Sequence, residues 1–148
     1  MKEINNNIQE SYCSFEVSKL LKEKEFDVEC LHFYTKPKSK MYGIDEHGRA
    51  YPIKNTSKKL YTCGQHASSK DDNVYLAPTH ALAIEWIRVN FEIFLWVEPY
   101  KNHAADTNDP IMFRYVIQTK EYKRYSLEYS TSQEATEAAL KYVLEKLI

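Results

Sequence analysis

Between residues 77 and 148 the apolar spacing changes from a helical period to a strand period and back, and this constrains the fold more than any other feature. Pro78 fits the first turn of a helix and Thr79 can cap it. Leu82, Trp86 and Val89, with Ala83 and Ile87 alongside, then form an apolar stripe, and Asn90 can end the helix in the left-handed conformation. Three alternating segments follow, at 91–100, 111–119 and 124–130. Thr131 and Glu134 stand at capping-box spacing before a last helix with Ala135, Ala138, Ala139, Tyr142, Val143 and Leu147 on its apolar face.

The alternation also assigns faces. Ile93, Leu95 and Val97 share one side of the first strand, and Phe113, Tyr115 and Ile117 one side of the second. That aliphatic side suits the small, Ala-rich surface of the last helix. Phe94 and Trp96 then point the other way, together with Arg114 on the next strand. Two large aromatics are seldom left in water, so a cover is expected: the N-terminal strands first, a partner protein or a second copy otherwise.

The N-terminal half is patterned more loosely. Residues 1–11 are polar and aperiodic and are expected to be flexible. Ser14 can cap a helix whose stripe is Cys13, Val17, Leu20 and Leu21, ending by Glu25. From Phe26 the period becomes two, with Phe26, Val28, Cys30, His32 and Tyr34 on one strand face. Segments 41–44 and 50–53 flank the turn Asp45-Glu46-His47-Gly48, segment 59–63 is a further short strand, and segment 64–73 reads as a loop. The expected fold is a single α+β domain over residues 1–148. An N-terminal helix with short strands (12–76) precedes a half running helix, three antiparallel strands, helix (77–148).

Composition narrows the class. A length of 148 residues suffices for one buried core, and 43% hydrophobic with 28% charged residues is ordinary for a globular chain. Twelve tyrosines and three glycines favour half-buried strand surfaces and leave little material for a phosphate-cradling loop. No run approaches the ~20 apolar residues that span a bilayer, and Met1 to Glu10 lacks the apolar region of a secretion signal. Three cysteines cannot all pair within one chain, so reduced thiols and a cytoplasmic setting are expected.

The segments CSFEVSKLLKEK (13–24), APTHALAIEWIR (77–88) and EATEAALKYVLEKLI (134–148) resemble those of small uncharacterised bacterial proteins of the phage, prophage or mobile-element type, notably from Bacteroidetes. The resemblance implies a phage or mobile-element context and supplies no activity and no catalytic residue. That set often carries Gly between the first helix and the following Phe, where this chain has Glu25. A left-handed Glu costs on the order of 1 kcal/mol, so a different helix end is expected. The order of elements in 77–148 also matches the double-stranded-RNA-binding domain. That domain carries lysines where the last helix starts, whereas this chain has Glu134 and Glu137.

Three constellations could carry chemistry. Cys30 and His32, with Cys63 and His66, offer two thiolates and two imidazoles, enough for a structural zinc. Cysteine is also readily buried as a small hydrophobe, and Cys-x-His is not a usual knuckle. Cys63 and His66 are close enough in sequence to suggest a nucleophile and base, but no nucleophile signature surrounds them. The third is a binding surface. Residues 36–70 hold eight basic and two acidic side chains, a local +6 in a chain of net −1, with Lys36, Lys38, Lys58 and Lys59 prominent. Together with Phe94, Trp96, Tyr100 and Arg114 they could form a platform for single-stranded nucleic acid. Lysines so interleaved with short strands more often guard an edge or face solvent. The expected function is therefore non-enzymatic, an accessory protein without cofactor that binds a protein partner or a second copy of itself. Nucleic-acid binding through residues 36–70 is the alternative.

Overall fold

In the computed structural model, which describes residues 10–35, 40–44, 50–52, 74–101 and 108–148, each helix begins at a side-chain cap. Helix α1 spans Phe15–Glu23, with the Ser14 hydroxyl accepting from the Val17 N–H. Helix α2 spans His80–Phe91, capped by Thr79 through the Leu82 N–H. Helix α3 spans Ser132–Lys146, capped by Thr131 through the Glu134 N–H. All three caps are the expected residues, because a hydroxyl ahead of a helix satisfies a donor that the helix itself cannot.

The helix ends differ from expectation. Glu25 takes a positive φ of 61°. The Phe26 N–H bonds to the Leu21 carbonyl and the Glu25 N–H to that of Lys22, the paired pattern of a Schellman ending. Phe26 and Leu21 are both buried in the core, and this contact offsets the left-handed glutamate. Helix α2 runs past Asn90 and ends on Glu92, φ 55°. Asn90 stays helical, its side chain donating to the Trp86 carbonyl.

Among the described residues, seven strands form two antiparallel sheets. The first is β1 (His32–Thr35), β2 (Lys40–Ile44), β3 (Ala50–Pro52) and β4 (Val74–Leu76), in the order β3-β2-β1-β4. The second is β5 (Phe94–Tyr100), β6 (Met112–Gln118) and β7 (Lys123–Tyr125), in sequence order. Strands β2 and β3 pair antiparallel, Ile44 with Ala50, and the anticipated turn at 45–48 lies outside the described residues. The strand anticipated from Phe26 begins only at His32, and residues 26–30 are irregular. Strand β4 has no counterpart in the expectations. The strand expected at 59–63, the loop expected at 64–73 and most of the segment 1–11, expected to be flexible, lie outside the described residues.

Helices α1 and α3 pack on each other between the two sheets, so the molecule is an α+β domain around one core. Helix α3 lies against β5 and β6, whose Leu95, Tyr115 and Ile117 are buried beneath it. Its own Ala135, Ala139, Leu140, Val143 and Leu144 are fully buried, a wider stripe than the sequence suggested because this helix has neighbours on two sides. Each large member of that stripe contributes roughly 1.5–3 kcal/mol. On the other side α1 meets the first sheet through β4, and Phe15 packs edge-on against Tyr34 and Tyr75. Helix α2 buries Ala83 and Ile87, while Val89, expected in the stripe, is 61% exposed. No helix among the described residues is long and apolar enough to cross a membrane.

Candidate binding face

The second sheet has one covered and one open side. Its side chains alternate as the sequence predicts: Ile93 and Leu95 are buried, and Phe94 and Trp96 are 48% and 37% exposed. The anticipated cover does not form from the described N-terminal strands. Sheet β3-β2-β1-β4 packs through α1, on the far side of the helices, because Phe15 and the aromatic side chains of β1 and β4 satisfy each other there.

Register determines what the open side presents. Trp96 pairs with Val116 and Val116 with Tyr125, so one row crosses all three strands. Val116 is fully buried at the centre of that row, between the two flanking rings. In the next row Phe94 pairs with Gln118 and Gln118 with Lys123. In the row on the other side Glu98 faces Arg114, and beyond it Tyr100 faces Met112. Strand β7 is followed by Leu127, 85% exposed.

Cations lie over these rings. The Arg114 guanidinium is 4.5 Å from the centre of Tyr100 and 4.4 Å from that of Tyr125. The Lys123 ammonium is 5.3 Å from both Trp96 and Tyr125. Such contacts contribute about 0.5–1 kcal/mol each at an exposed site, and the aliphatic stems shield part of each ring. Arg114 also donates through Nε to Glu98 at 2.7 Å, and the Trp96 indole N–H reaches the other oxygen of Glu98 at 3.4 Å. The Arg114 hydrogen bond holds the Glu98 carboxyl below its ordinary range. Tyr100, Arg114, Ser126, Leu127 and Glu128 line a hollow of about 350 Å³ at one end of the face.

Of the anticipated binding residues, the structure brings Phe94, Trp96, Tyr100 and Arg114 onto this one face. Lys36, Lys38, Lys58 and Lys59 lie outside the described residues. Tyr125 and Lys123 belong to the face and were not anticipated, since strand β7 is only three residues long and its phase is set by pairing with β6.

The anticipated zinc set fares differently. Cys30 is buried in the irregular segment, its thiol donating to the Val28 carbonyl, and burial pushes it up to about 12. His32 is buried against the ring of Tyr12, with centroids 4.0 Å apart. The shared strand face proposed for the two does not exist, because β1 starts only at His32. Cys63 and His66 lie outside the described residues. Among the described residues a different group converges, Cys13, His80 and Glu137, whose potential ligand atoms lie within 4.8 Å of one another. Comparison with protein-family models, curated proteins and solved structures finds no match for this chain.

Proposed function

We propose that this chain is a non-enzymatic interaction protein that docks a protein partner on the open face of the β5–β6–β7 sheet. The observation that carries the proposal is the exposure of Phe94, Trp96 and Tyr125 together on one face of the β5–β6–β7 sheet, with Tyr100 in the same alternation. Trp, Tyr and Arg are the side chains that dominate protein interfaces, since each combines a large apolar area with a polar handle. An accessory role of this kind also accords with the resemblance to small phage and mobile-element proteins.

Among the described residues, charge favours a protein partner over single-stranded nucleic acid, the second reading. A nucleic-acid platform needs cations free to meet phosphates. Here Arg114 is neutralised by Glu98, and the nearby Lys120 is paired with Glu92. Lys123 lies over two of the rings on which a base would stack. The start of α3 adds Glu134 rather than a lysine. A low-salt titration with labelled single-stranded DNA and RNA separates the two readings. We expect no binding of either; salt-dependent binding lost in Trp96→Ala and Tyr125→Ala would replace the protein partner with a nucleic acid.

A further inference from the structure

From the convergence of Cys13, His80 and Glu137 we infer a binding site for a single zinc ion at the junction of the three helices, with one coordination position open to an adjoining pocket.

The three ligands come from three elements. Cys13 precedes α1, His80 is the first residue of α2, and Glu137 lies in the second turn of α3. Each is held by the backbone around it. The Cys13 N–H bonds to the Pro78 carbonyl and the His80 N–H to the Ser11 carbonyl, both at 2.9 Å, around a bridge between Tyr12 and Thr79. The Ser14 N–H donates to Glu137 Oε1 at 2.9 Å. The Tyr34 hydroxyl donates to the Cys13 carbonyl at 2.9 Å, fixing the ligand's main chain from the first sheet. Restraint of this kind is what makes a ligand set selective, because the ligands need not be ordered when the ion arrives.

The separations suit one small ion. Tetrahedral zinc with bonds of about 2.0–2.3 Å places its ligand atoms roughly 3.3–3.8 Å apart. The atoms here lie within 4.8 Å of one another, so a shift of about 1 Å closes the set. His80 Nε2 and Glu137 Oε1 are now 2.6 Å apart, joined by a hydrogen bond. An ion would take the place of the bonding proton and move the pair slightly apart. Thiolate, imidazole and carboxylate together match zinc better than the oxygen-seeking magnesium or calcium. Their two negative charges balance the ion, which solves the problem of placing a thiolate beside a carboxylate in a buried site.

Cysteine catalysis does not suit the same residues. The Cys13 side chain is fully buried, so no substrate reaches it. His80 and Glu137 remain 12% and 27% exposed. Beside His80 opens a pocket of about 290 Å³ lined by Ser11, Thr79, Gln133 and Thr136 among others. Three protein ligands with room for a water as the fourth is the arrangement expected of an accessible zinc. Binding releases the thiol proton, so affinity rises with pH.

Cobalt(II) reports the site spectroscopically. We expect chelator-treated full-length protein to bind one equivalent of cobalt or zinc. Cobalt should show the visible bands of tetrahedral coordination and a near-ultraviolet thiolate charge-transfer band. The charge-transfer band disappears in Cys13→Ser, and zinc affinity falls about tenfold or more in His80→Gln and in Glu137→Gln. Cys13 is a core residue, and circular dichroism of each metal-free variant shows which remain folded. The part-exposed His80→Gln keeps the test decisive if Cys13→Ser unfolds. Absence of uptake at micromolar zinc would overturn the site. So would uptake unchanged in folded His80→Gln and Glu137→Gln but abolished in Cys63→Ser, which would place the ion elsewhere.

Discussion

Glu25 shows how a single position departs from local preference when the surrounding contacts outweigh it. Its φ of 61° is costly for any side chain with a Cβ, yet the helix end it closes buries Phe26 against Leu21 and satisfies two carbonyls. A different end was expected because the cost of the glutamate is visible in the sequence and the gain at Phe26 is not. Glu25→Gly should therefore stabilise the protein by about 0.5–1 kcal/mol, less than the full steric cost because glycine also loosens the unfolded chain. Urea denaturation with an unchanged slope and a higher midpoint is the expected record. The same reasoning explains why the Cys13, His80 and Glu137 cluster was invisible. Each residue has an ordinary local role, in a helix stripe, at a helix start and on an acidic turn, and only tertiary packing brings the three together.

At the level of elements, the legible features were those encoded in neighbouring residues. Ser14, Thr79 and Thr131 were identifiable as caps because a hydroxyl before an apolar period has few other uses. The two faces of β5 and β6 were identifiable because a strand's period is two. Strand β4 was not, since Val74-Tyr75-Leu76 is too short to show a period and is ordered by pairing with β1. The apparent strand from Phe26 to Leu31 misled for the opposite reason. Its alternation reflects irregular chain burying Phe26 and Cys30 in the core. Helix α3 carries the firmest packing consequence, because α1 and the β5–β6 sheet both press on it. Ala139, fully buried, leaves no room for a larger side chain, whereas Ala138 is only half-buried. Ala139→Leu should cost about 1–3 kcal/mol and Ala138→Leu less than half of that, as thermal unfolding of the two variants would show.

For the whole molecule, buried titratable groups define a pH range of maximum stability. Burial holds His32 below its ordinary 6.5. As the pH falls through that value the unfolded chain takes up a proton that the folded chain refuses, so stability declines. Burial would raise Glu137, but hydrogen bonds from His80 and Ser14 outweigh it and hold the carboxyl below its ordinary value. Its contribution is lost further into acid, as the folded carboxylate is protonated. On the alkaline side burial pushes Cys30 and Tyr34 each up to about 12 and raises Cys13 as well. Unfolded thiols ionise from about 9.0 while the folded ones stay neutral, so stability declines again above that pH. The unfolding midpoint should be highest near pH 7–9, and His32→Gln should flatten the decline between about pH 7 and 5. A midpoint unchanged over that acid interval in the parent protein would contradict this account.

The open sheet is the feature on which the functional reading depends, and it belongs to the whole molecule because three strands contribute to it. Its aromatic content was legible in Phe94 and Trp96. Its composition as a surface was not, because Tyr125 and Lys123 join only through the register of β7 on β6. A photoreactive phenylalanine analogue can replace Trp96 or Tyr125, with the exposed Glu23 on α1 as the control position. Irradiation in the native host should yield one dominant protein adduct from both sheet positions and none from position 23. Adducts identical at all three positions, or none from the sheet, would contradict the claim that this face binds a protein partner.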